Sequence, residues 1–321
     1  MLLIATRLAS IFLMISAGWG ARRLGFVDDD STRGMSRLLT TFFYPALIFT
    51  SITGNFNLEA LRTDWVLPAG TLCIMLGGFL VGLAVERFVT DPHSREGHAF
   101  LFQCTMNNYV FLPMPLILFL WGERGVALLI LSTLGSETAL WTLGAYAMSG
   151  RHLSMRSLKH LVKPPLITIV VSLVFVIVRD LVPMGVASIP AAGVLQETGR
   201  MLHDTLTIYG GATIPAATII AGSRMAGLRL HHLRPAIHGA VLVLRLLILP
   251  ALFAVGILLA PLPREARGIL LVIAFMPSSL ASIILSEIFD GDSEFAATSV
   301  LITHVGALVT LPIWLALFLD V

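Results

Sequence analysis

Charge is scarce in this chain of 321 residues, because only 12% of them are charged and 56% are hydrophobic. A soluble domain carries about 25% charged residues, since its surface must be hydrated. Half of that share leaves too little polar surface for a water-soluble globule, and the mean hydropathy of +0.89 agrees. The composition therefore excludes a soluble protein and predicts a polytopic membrane protein.

Other features are absent as well. The sequence contains no HExxH, CxxC, P-loop or GxSxG motif, which are signatures of common enzyme classes. Its two cysteines, Cys73 and Cys104, lie in separate apolar stretches and predict neither a disulfide nor a metal site. The formal net charge of +2 gives no indication of nucleic-acid binding. We therefore expect no cofactor, no metal and no nucleic-acid partner.

Ten apolar stretches, each close to the length that a helix needs to cross a bilayer, predict an all-α protein with ten transmembrane helices. They cover residues 2–20, 38–54, 65–85, 99–121, 126–148, 164–183, 205–222, 237–260, 269–289 and 295–319. The connections after stretches one, three, five and seven hold 13 Lys and Arg residues, and the alternate connections hold 6. Because Lys and Arg concentrate in cytoplasmic loops, both termini are predicted to lie outside the bacterial inner membrane.

A constant offset of 170 residues relates three pairs of segments in the two halves of the chain. The pairs are Pro45 with Pro215, Asn107-Asn108 with Pro277-Ser278, and Thr133 with Thr303. The offset defines two repeats, residues 1–150 and 164–321, with five predicted helices each. Because five is odd, the second repeat must enter the membrane inverted. Inverted repeats are typical of secondary transporters, whose binding sites lie near the membrane midplane where the repeats meet.

Prolines interrupt the fourth and ninth predicted helices, and polar residues surround both interruptions. The prolines are Pro113, Pro115 and Pro277, and the polar residues are Asn107, Asn108, Tyr109, Ser278 and Ser279. Proline interrupts a helix because it lacks an N–H and clashes with the carbonyl four residues back. Two broken helices that cross would direct the positive ends of their half-helices at one point, which suits a carboxylate or another small anion. Two ordinary proline kinks remain the alternative.

Three ionisable residues lie deep in predicted helices, where charge is costly and usually functional. Glu137 and His304 could both face a central cavity and carry a coupling proton, or they could form a structural pair that holds helices together. Arg245 could be a counter-charge to Glu137, a substrate anchor or a side chain that extends to one membrane face. Pro45 and Pro215 are predicted to shape gating bends beside the crossing.

Several segments of the chain resemble the auxin efflux carrier family, which includes plant PIN exporters and bacterial permeases described as malonate transporters. These segments are GWGARRLGFVDDDSTRGMSRLLTTFFYPALIF, the fourth predicted helix, LVKPPLI, IYGGATIPAATIIAGSRMA and FMPSSLASIILSEIFDGDSEFAATSVLITHVGALVTLPIW. The resemblance implies a scaffold domain, a transport domain and an anionic substrate held where helices four and nine cross. It places Asn107 or Asn108, Pro113, Pro277 and Ser278 at that crossing. The chain departs from the family pattern at the fourth predicted helix, where it has two adjacent asparagines and a P-x-P and the family more often has a single asparagine and one proline. It also lacks the long central loop of long PIN exporters.

We therefore expect a secondary transporter for a small organic anion, a carboxylate such as malonate, that works by alternating access around the crossed helices. The expected partners are this anion, a coupling proton or Na⁺, and the lipid bilayer. The sequence leaves open whether the chain forms a homodimer. Two other functions remain as alternatives. One is a membrane receptor or sensor that binds the ligand without moving it, and the other is an intramembrane hydrolase that uses Ser136 with His304.

Overall fold

A computed structural model describes residues 2–151, 164–181, 192–227 and 233–319 of the chain. Within these residues the fold is helical and contains no β-strand, which confirms the predicted all-α class. Six helical segments of the described part are long and apolar enough to cross a membrane. They are Leu58–Val89, Pro113–Met148, Pro164–Leu181, Glu197–Gly227, Pro235–Leu259 and Ser293–Phe318. The finer arrangement of ten crossings in two inverted repeats stays a prediction.

The first half of the chain forms eight α-helices. They are α1 (Leu2–Arg23), α2 (Asp29–Leu38), α3 (Tyr44–Asn55), α4 (Leu58–Asp64), α5 (Val66–Val89), α6 (Arg95–Thr105), α7 (Pro113–Ala139) and α8 (Ala145–Met148). π-helical turns at Leu39–Phe43 and Leu140–Gly144 join α2 to α3 and α7 to α8. Within α7, Gly122 has φ 61° and ψ −156°, a conformation that glycine tolerates best. The resulting kink separates the fourth predicted apolar stretch from the fifth.

The described residues of the second half, from 164 to 319 with gaps at 182–191 and 228–232, form eight more helices. They are α9 (Pro164–Leu181), α10 (Ala192–Gly211), α11 (Thr213–Gly227), α12 (Pro235–Val243), α13 (Leu249–Leu259), α14 (Arg264–Ala274), α15 (Ala281–Ile288) and α16 (Ser293–Phe318). A π-helical turn, Leu244–Ile248, joins α12 to α13.

The two prolines predicted to shape gating bends both lie in the first turn of a helix. Pro45 is the second residue of α3 and follows a π-helical turn, in which the Tyr44 N–H donates to the Leu39 carbonyl. Pro215 is the third residue of α11, which begins after a break at Ala212. Since proline has no N–H, each position marks a place where the regular helical hydrogen bonding is interrupted.

The helices pack in two groups, which we call the first and second packing groups. In the first group, α1 lies against α11, and α3 lies against α9 and α10. In the second group, α5 packs on α6 and α7, and α16 packs on α12 and α15. The α1–α11 contact depends on Gly18, because a Cβ there would lie 2.3 Å from the carbonyl oxygen of Ile219. Small residues that allow such close approach are typical of helix packing in membranes.

Long-range ion pairs connect loops that the sequence places on the same side of the membrane. On the predicted cytoplasmic side the pairs are Arg151–Glu86, Arg95–Asp290, Arg234–Glu96 and Arg234–Asp292. On the opposite side, Arg124 pairs with Asp64 at 2.6 Å and with Glu265 at 3.6 Å. Since each pair joins loops separated by an even number of predicted helices, the pairs are consistent with ten alternating crossings.

Candidate functional site

Two interruptions of helical structure lie side by side in the second packing group. Residues 106–112 separate α6 from α7, and residues 275–280 separate α14 from α15. Asn107 and Ser278 form an isolated antiparallel bridge. Beside it, the Asn108 N–H donates to the Pro277 carbonyl at 2.8 Å, and the Ser279 N–H donates to the Met106 carbonyl at 3.2 Å. The broken segments therefore cross and satisfy one another's backbone groups, which is what buried irregular backbone requires.

The prolines do not kink the middle of a helix but stand at its beginning or outside it. Pro113 and Pro115 are the first and third residues of α7, where a missing N–H leaves no helical hydrogen bond unmade. Pro277 lies within the second interruption. The Ile273 carbonyl, four residues earlier, accepts a hydrogen bond from Asn107 Nδ2 at 2.5 Å. Asn107 thus gives a second donor to a carbonyl that also accepts from the Met276 N–H at 3.2 Å.

Asn108 holds the start of α7 and is itself held by His304. Its Oδ1 accepts from the N–H groups of Phe111 at 3.1 Å and Leu112 at 3.4 Å. Its Nδ2 lies 3.1 Å from His304 Nε2, and His304 Nδ1 lies 2.8 Å from the Val300 carbonyl. Because a carbonyl only accepts, we assign the ring proton to Nδ1, so that Nε2 accepts from Asn108. His304 is thereby a neutral residue that positions Asn108.

A cavity of about 350 Å³ adjoins this crossing and lies between the two packing groups. From the first group it is lined by Tyr44, Pro164, Pro165, Thr213 and Ala217. From the second group it is lined by Asn108, Tyr109, Val110, Phe111, Met114, Glu137, Trp141, Ser279, Leu280 and Ala281. The first turns of both α7 and α15 thus reach it. We call this space the central cavity.

Glu137 is the one acidic or basic side chain among the described residues that line the central cavity. Its Oε1 accepts a hydrogen bond from Tyr109 Oη at 2.9 Å, and its Oε2 accepts from Trp141 Nε1 at 3.2 Å. Both donors fix the orientation of the carboxyl group. An ionised carboxylate at this position would repel an anion in the cavity.

The structure divides the predicted binding residues into two sets. Asn108, Tyr109 and Ser279 line the central cavity, whereas Asn107 and Ser278 are completely buried in the crossing. Glu137 and His304 are not brought together, because Glu137 contacts Tyr109 and Trp141 while His304 contacts Asn108 and Val300.

Arg245 and Ser136 do not contact the residues that were considered as their partners from the sequence. The Arg245 guanidinium is buried and donates to the carbonyls of Cys104 and Met276, so it neither pairs with Glu137 nor extends to a membrane face. Ser136 Oγ is buried and has no hydrogen-bond partner among the described residues. Since both ring nitrogens of His304 have other partners, the serine–histidine pair of a hydrolase is not formed.

A second cavity of about 340 Å³ adjoins the central one and was not predicted. The two share Leu39, Thr40, Phe111, Leu280 and Ala281. The second cavity is also lined by Arg37 and by Arg224, whose Nη2 donates to Ser36 Oγ at 3.1 Å. We call it the basic mouth. Both arginines belong to loops or helix ends that the charge distribution places in the cytoplasm.

Three further lining residues escaped the sequence analysis, although the sequence contained signals for two of them. Tyr44 precedes Pro45, and Trp141 follows Glu137 by one helical turn, which places it on the same helix face. Thr213 lies two residues before Pro215 but had no other distinguishing feature.

Comparison with known proteins identifies the family of this chain. A sequence model of the family described as membrane transport protein matches residues 3–156 and 148–315, which is nearly the whole chain. The chain belongs to this family. It is therefore an integral membrane protein of a transporter family, and the predicted resemblance to auxin efflux carriers is confirmed.

Relatives of this membrane transport protein occur in archaea and plants. An uncharacterized transporter of Methanocaldococcus jannaschii is 23% identical over 310 residues, which cover 95% of each chain. An uncharacterized transporter of Methanothermobacter thermautotrophicus is 25% identical over 313 residues, again 95% of each chain. Protein PIN-LIKES 5 of Arabidopsis thaliana is 20% identical over 380 residues, covering 95% of this chain and 94% of its own. The similarity thus extends over whole chains rather than a single segment.

Proposed function

We propose that this membrane transport protein is a secondary transporter for a small organic anion, a carboxylate such as malonate. The observation that supports this best is the central cavity, which lies between two packing groups and against the crossing of two broken helices. A site between two groups is the arrangement that alternating access requires, because movement of one group past the other can expose the site to either side. The cavity volume of about 350 Å³ suits a small molecule.

The positive ends of two half-helices and two arginines favour an anion. The N-terminal turns of α7 and α15 reach the central cavity, and a helix N-terminus carries about half of a positive charge. Arg37 and Arg224 line the basic mouth through which a ligand would enter. A cleft lined by one sign of charge raises the local concentration of oppositely charged ligands. The two arginines at the mouth and the two half-helix N-termini at the crossing therefore favour an anion, and Glu137 opposes one only when it is ionised.

The helix boundaries and ion pairs support ten crossings in two inverted halves, with both termini outside the inner membrane. α5 and the pair α12–α13 begin at Val66 and Pro235 and end at Val89 and Leu259, close to the offset of 170 residues. The long-range ion pairs join loops of one predicted side only. In this arrangement the basic mouth would face the cytoplasm, which is the side from which a ligand would enter the cavity.

Glu137 is the better candidate for proton coupling, and His304 is not required for it. Glu137 lines the cavity in which the anion would bind, whereas both ring nitrogens of His304 are used to hold Asn108 and to bond Val300. An anion binds more favourably when Glu137 is protonated, because the repulsion between two negative charges is then absent. Each bound anion would thus bring one proton across the membrane.

Counterflow in proteoliposomes tests this function. The purified chain is reconstituted with unlabelled mono- and dicarboxylates inside, and uptake of the labelled compound is followed for wild type, for Asn108→Ala and Ser279→Ala, which change residues that line the cavity, and for the control Asn55→Ala. Asn55 lies at the end of α3, outside the cavity linings. We expect both crossing variants to lose counterflow and the control to retain it.

Two results would contradict the proposal. Wild-type counterflow rates in both crossing variants would show that the site is elsewhere. Carboxylate binding without any flux would favour a receptor or sensor built on the same fold.

A further inference from the structure

Arg245 occupies the place where the C-terminal ends of two half-helices meet. It is the second residue of the π-helical turn Leu244–Ile248 and only 1% of it is exposed. Its Nη1 donates to the Cys104 carbonyl at 3.0 Å, and its Nε donates to the Met276 carbonyl at 3.4 Å. Cys104 is the penultimate residue of α6, and Met276 follows the end of α14 by two residues. One guanidinium thus bonds the ends of both half-helices.

A cation is needed at this point for electrostatic reasons. The C-terminal end of a helix carries about half of a negative charge, and its last carbonyls lack helical partners. Two such ends converge here, and buried carbonyls without partners are costly at membrane depth. In transporters with discontinuous helices, these ends and the unwound carbonyls are where a coupling Na⁺ or proton binds.

The charge of Arg245 is balanced by these helix ends and not by an acid. In the part of the chain that the structure describes, no carboxylate forms an ion pair with Arg245; its Nη1 and Nε donate to the two carbonyls, and its Nη2 has no hydrogen-bond partner. A buried charge is stable only when it is paired or compensated by hydrogen bonds. The two negative helix ends supply that compensation, so guanidinium and helix ends stabilise one another.

We propose that Arg245 is a tethered cation that takes the place of a coupling Na⁺ at the crossing. The consequence of this inference is that transport needs no Na⁺, and in this respect it rests on the proposed transport function. Because a guanidinium stays protonated at every physiological pH, the crossing keeps its positive charge in all states of the cycle. Protons bound at Glu137 are then the coupling ions, and Arg245 is a positioning residue that does not touch the substrate.

Thermal stability in detergent tests the tethered cation without any knowledge of the substrate. Melting temperatures are compared in NaCl and in N-methylglucamine chloride of equal ionic strength, for wild type, Arg245→Lys and Arg245→Ala. We expect wild type to melt at the same temperature in both salts, because no Na⁺ binds. Arg245→Ala should melt lower and be restored by Na⁺ or by millimolar guanidinium, which is far below the concentrations that denature proteins. Arg245→Lys, which keeps a cation, should lie between the two.

Two results would overturn the inference. One is a wild-type melting temperature that rises with Na⁺, since a second cation would then bind at the site or near it. The other is an Arg245→Lys variant that melts as low as an uncharged Arg245→Met variant, since the charge would then be irrelevant. Both comparisons stand even where Arg245→Ala cannot be purified.

Transport provides the second readout and separates the two proposals. Wild-type carboxylate uptake should be equal when Na⁺ is replaced by N-methylglucamine, and a strict requirement for Na⁺ would overturn the tethered-cation inference alone. Absence of flux for every carboxylate would contradict the proposed transport function, while the melting data would still decide whether Arg245 replaces a bound cation.

Discussion

Replacing Glu137 by glutamine should make anion binding independent of pH. The central cavity of about 350 Å³ would be about 9 Å across as a sphere, which places a bound carboxylate about 6 Å from the Glu137 carboxyl group. At an effective dielectric constant of about 20, two negative charges at that distance repel by about 3 kcal/mol, or about 100-fold in affinity. Glutamine removes the charge, and its amide oxygen can still accept from Trp141 Nε1 while its amide NH₂ donates to the Tyr109 hydroxyl, which reverses that one hydrogen bond.

The assay is equilibrium binding of a labelled carboxylate from acidic to alkaline pH. In wild type the affinity should fall as Glu137 ionises with rising pH, by up to about 100-fold. In Glu137→Gln it should stay at the value of the protonated site. The matched control is Glu123→Gln, which changes an exposed glutamate on the same helix, outside the cavity linings. It should keep the wild-type pH profile.

Transport measurements extend the same argument to coupling. Wild-type proteoliposomes should accumulate the anion when a proton gradient is imposed, whereas Glu137→Gln should exchange labelled for unlabelled anion without accumulation. A Glu137→Gln variant with the wild-type pH profile, or one that still accumulates anion with the proton gradient, would show that Glu137 does not couple proton and anion binding.

Two further predictions concern packing and entry. Gly18→Ala should lower the melting temperature, by overpacking that costs about 1–3 kcal/mol, because its Cβ would meet the Ile219 carbonyl oxygen at 2.3 Å. Gly20→Ala, on the same helix with no atom within 4 Å of its Cβ, should not lower it, and equal melting of both variants would contradict the predicted contact. Arg37→Gln should slow uptake at low substrate concentration and reduce its dependence on salt, whereas Arg33→Gln, whose side chain pairs with Asp30 instead of lining the mouth, should not. Identical kinetics in the two arginine variants would exclude the mouth as the entry path.

The sequence predicted the class of fold and the positions of the two helix interruptions, but not the contacts within them. Prolines and polar residues at 107–115 and 277–279 marked the two interruptions, because helix breaking at depth is a local property that composition reveals. Which side chains face the ligand depends on tertiary packing. Asn107 and Asn108 are adjacent, yet one bonds the Ile273 carbonyl and the other lines the cavity.

The contacts of the ionisable residues could not be predicted from the sequence either. Burial at depth identified Glu137, His304 and Arg245 as important, but periodicity cannot give the partner of a side chain across helices. The partners turned out to be an aromatic pair for Glu137, Asn108 for His304, and two helix ends for Arg245. The basic mouth was not predicted, because Arg37 and Arg224 served in the sequence only to indicate which loops face the cytoplasm.

Protection of a cysteine in the central cavity tests whether a transported carboxylate binds there. Thr213 lines the cavity, and its hydroxyl has no hydrogen-bond partner among the described residues, so Thr213→Cys loses little. In a background with Cys73→Ser and Cys104→Ala, the introduced thiol is reacted with a maleimide in the presence and absence of carboxylate. We expect a transported carboxylate to slow this reaction and to leave the reaction of the exposed control Thr63→Cys unchanged. Equal labelling of Thr213→Cys with and without a carboxylate that the protein transports would contradict it.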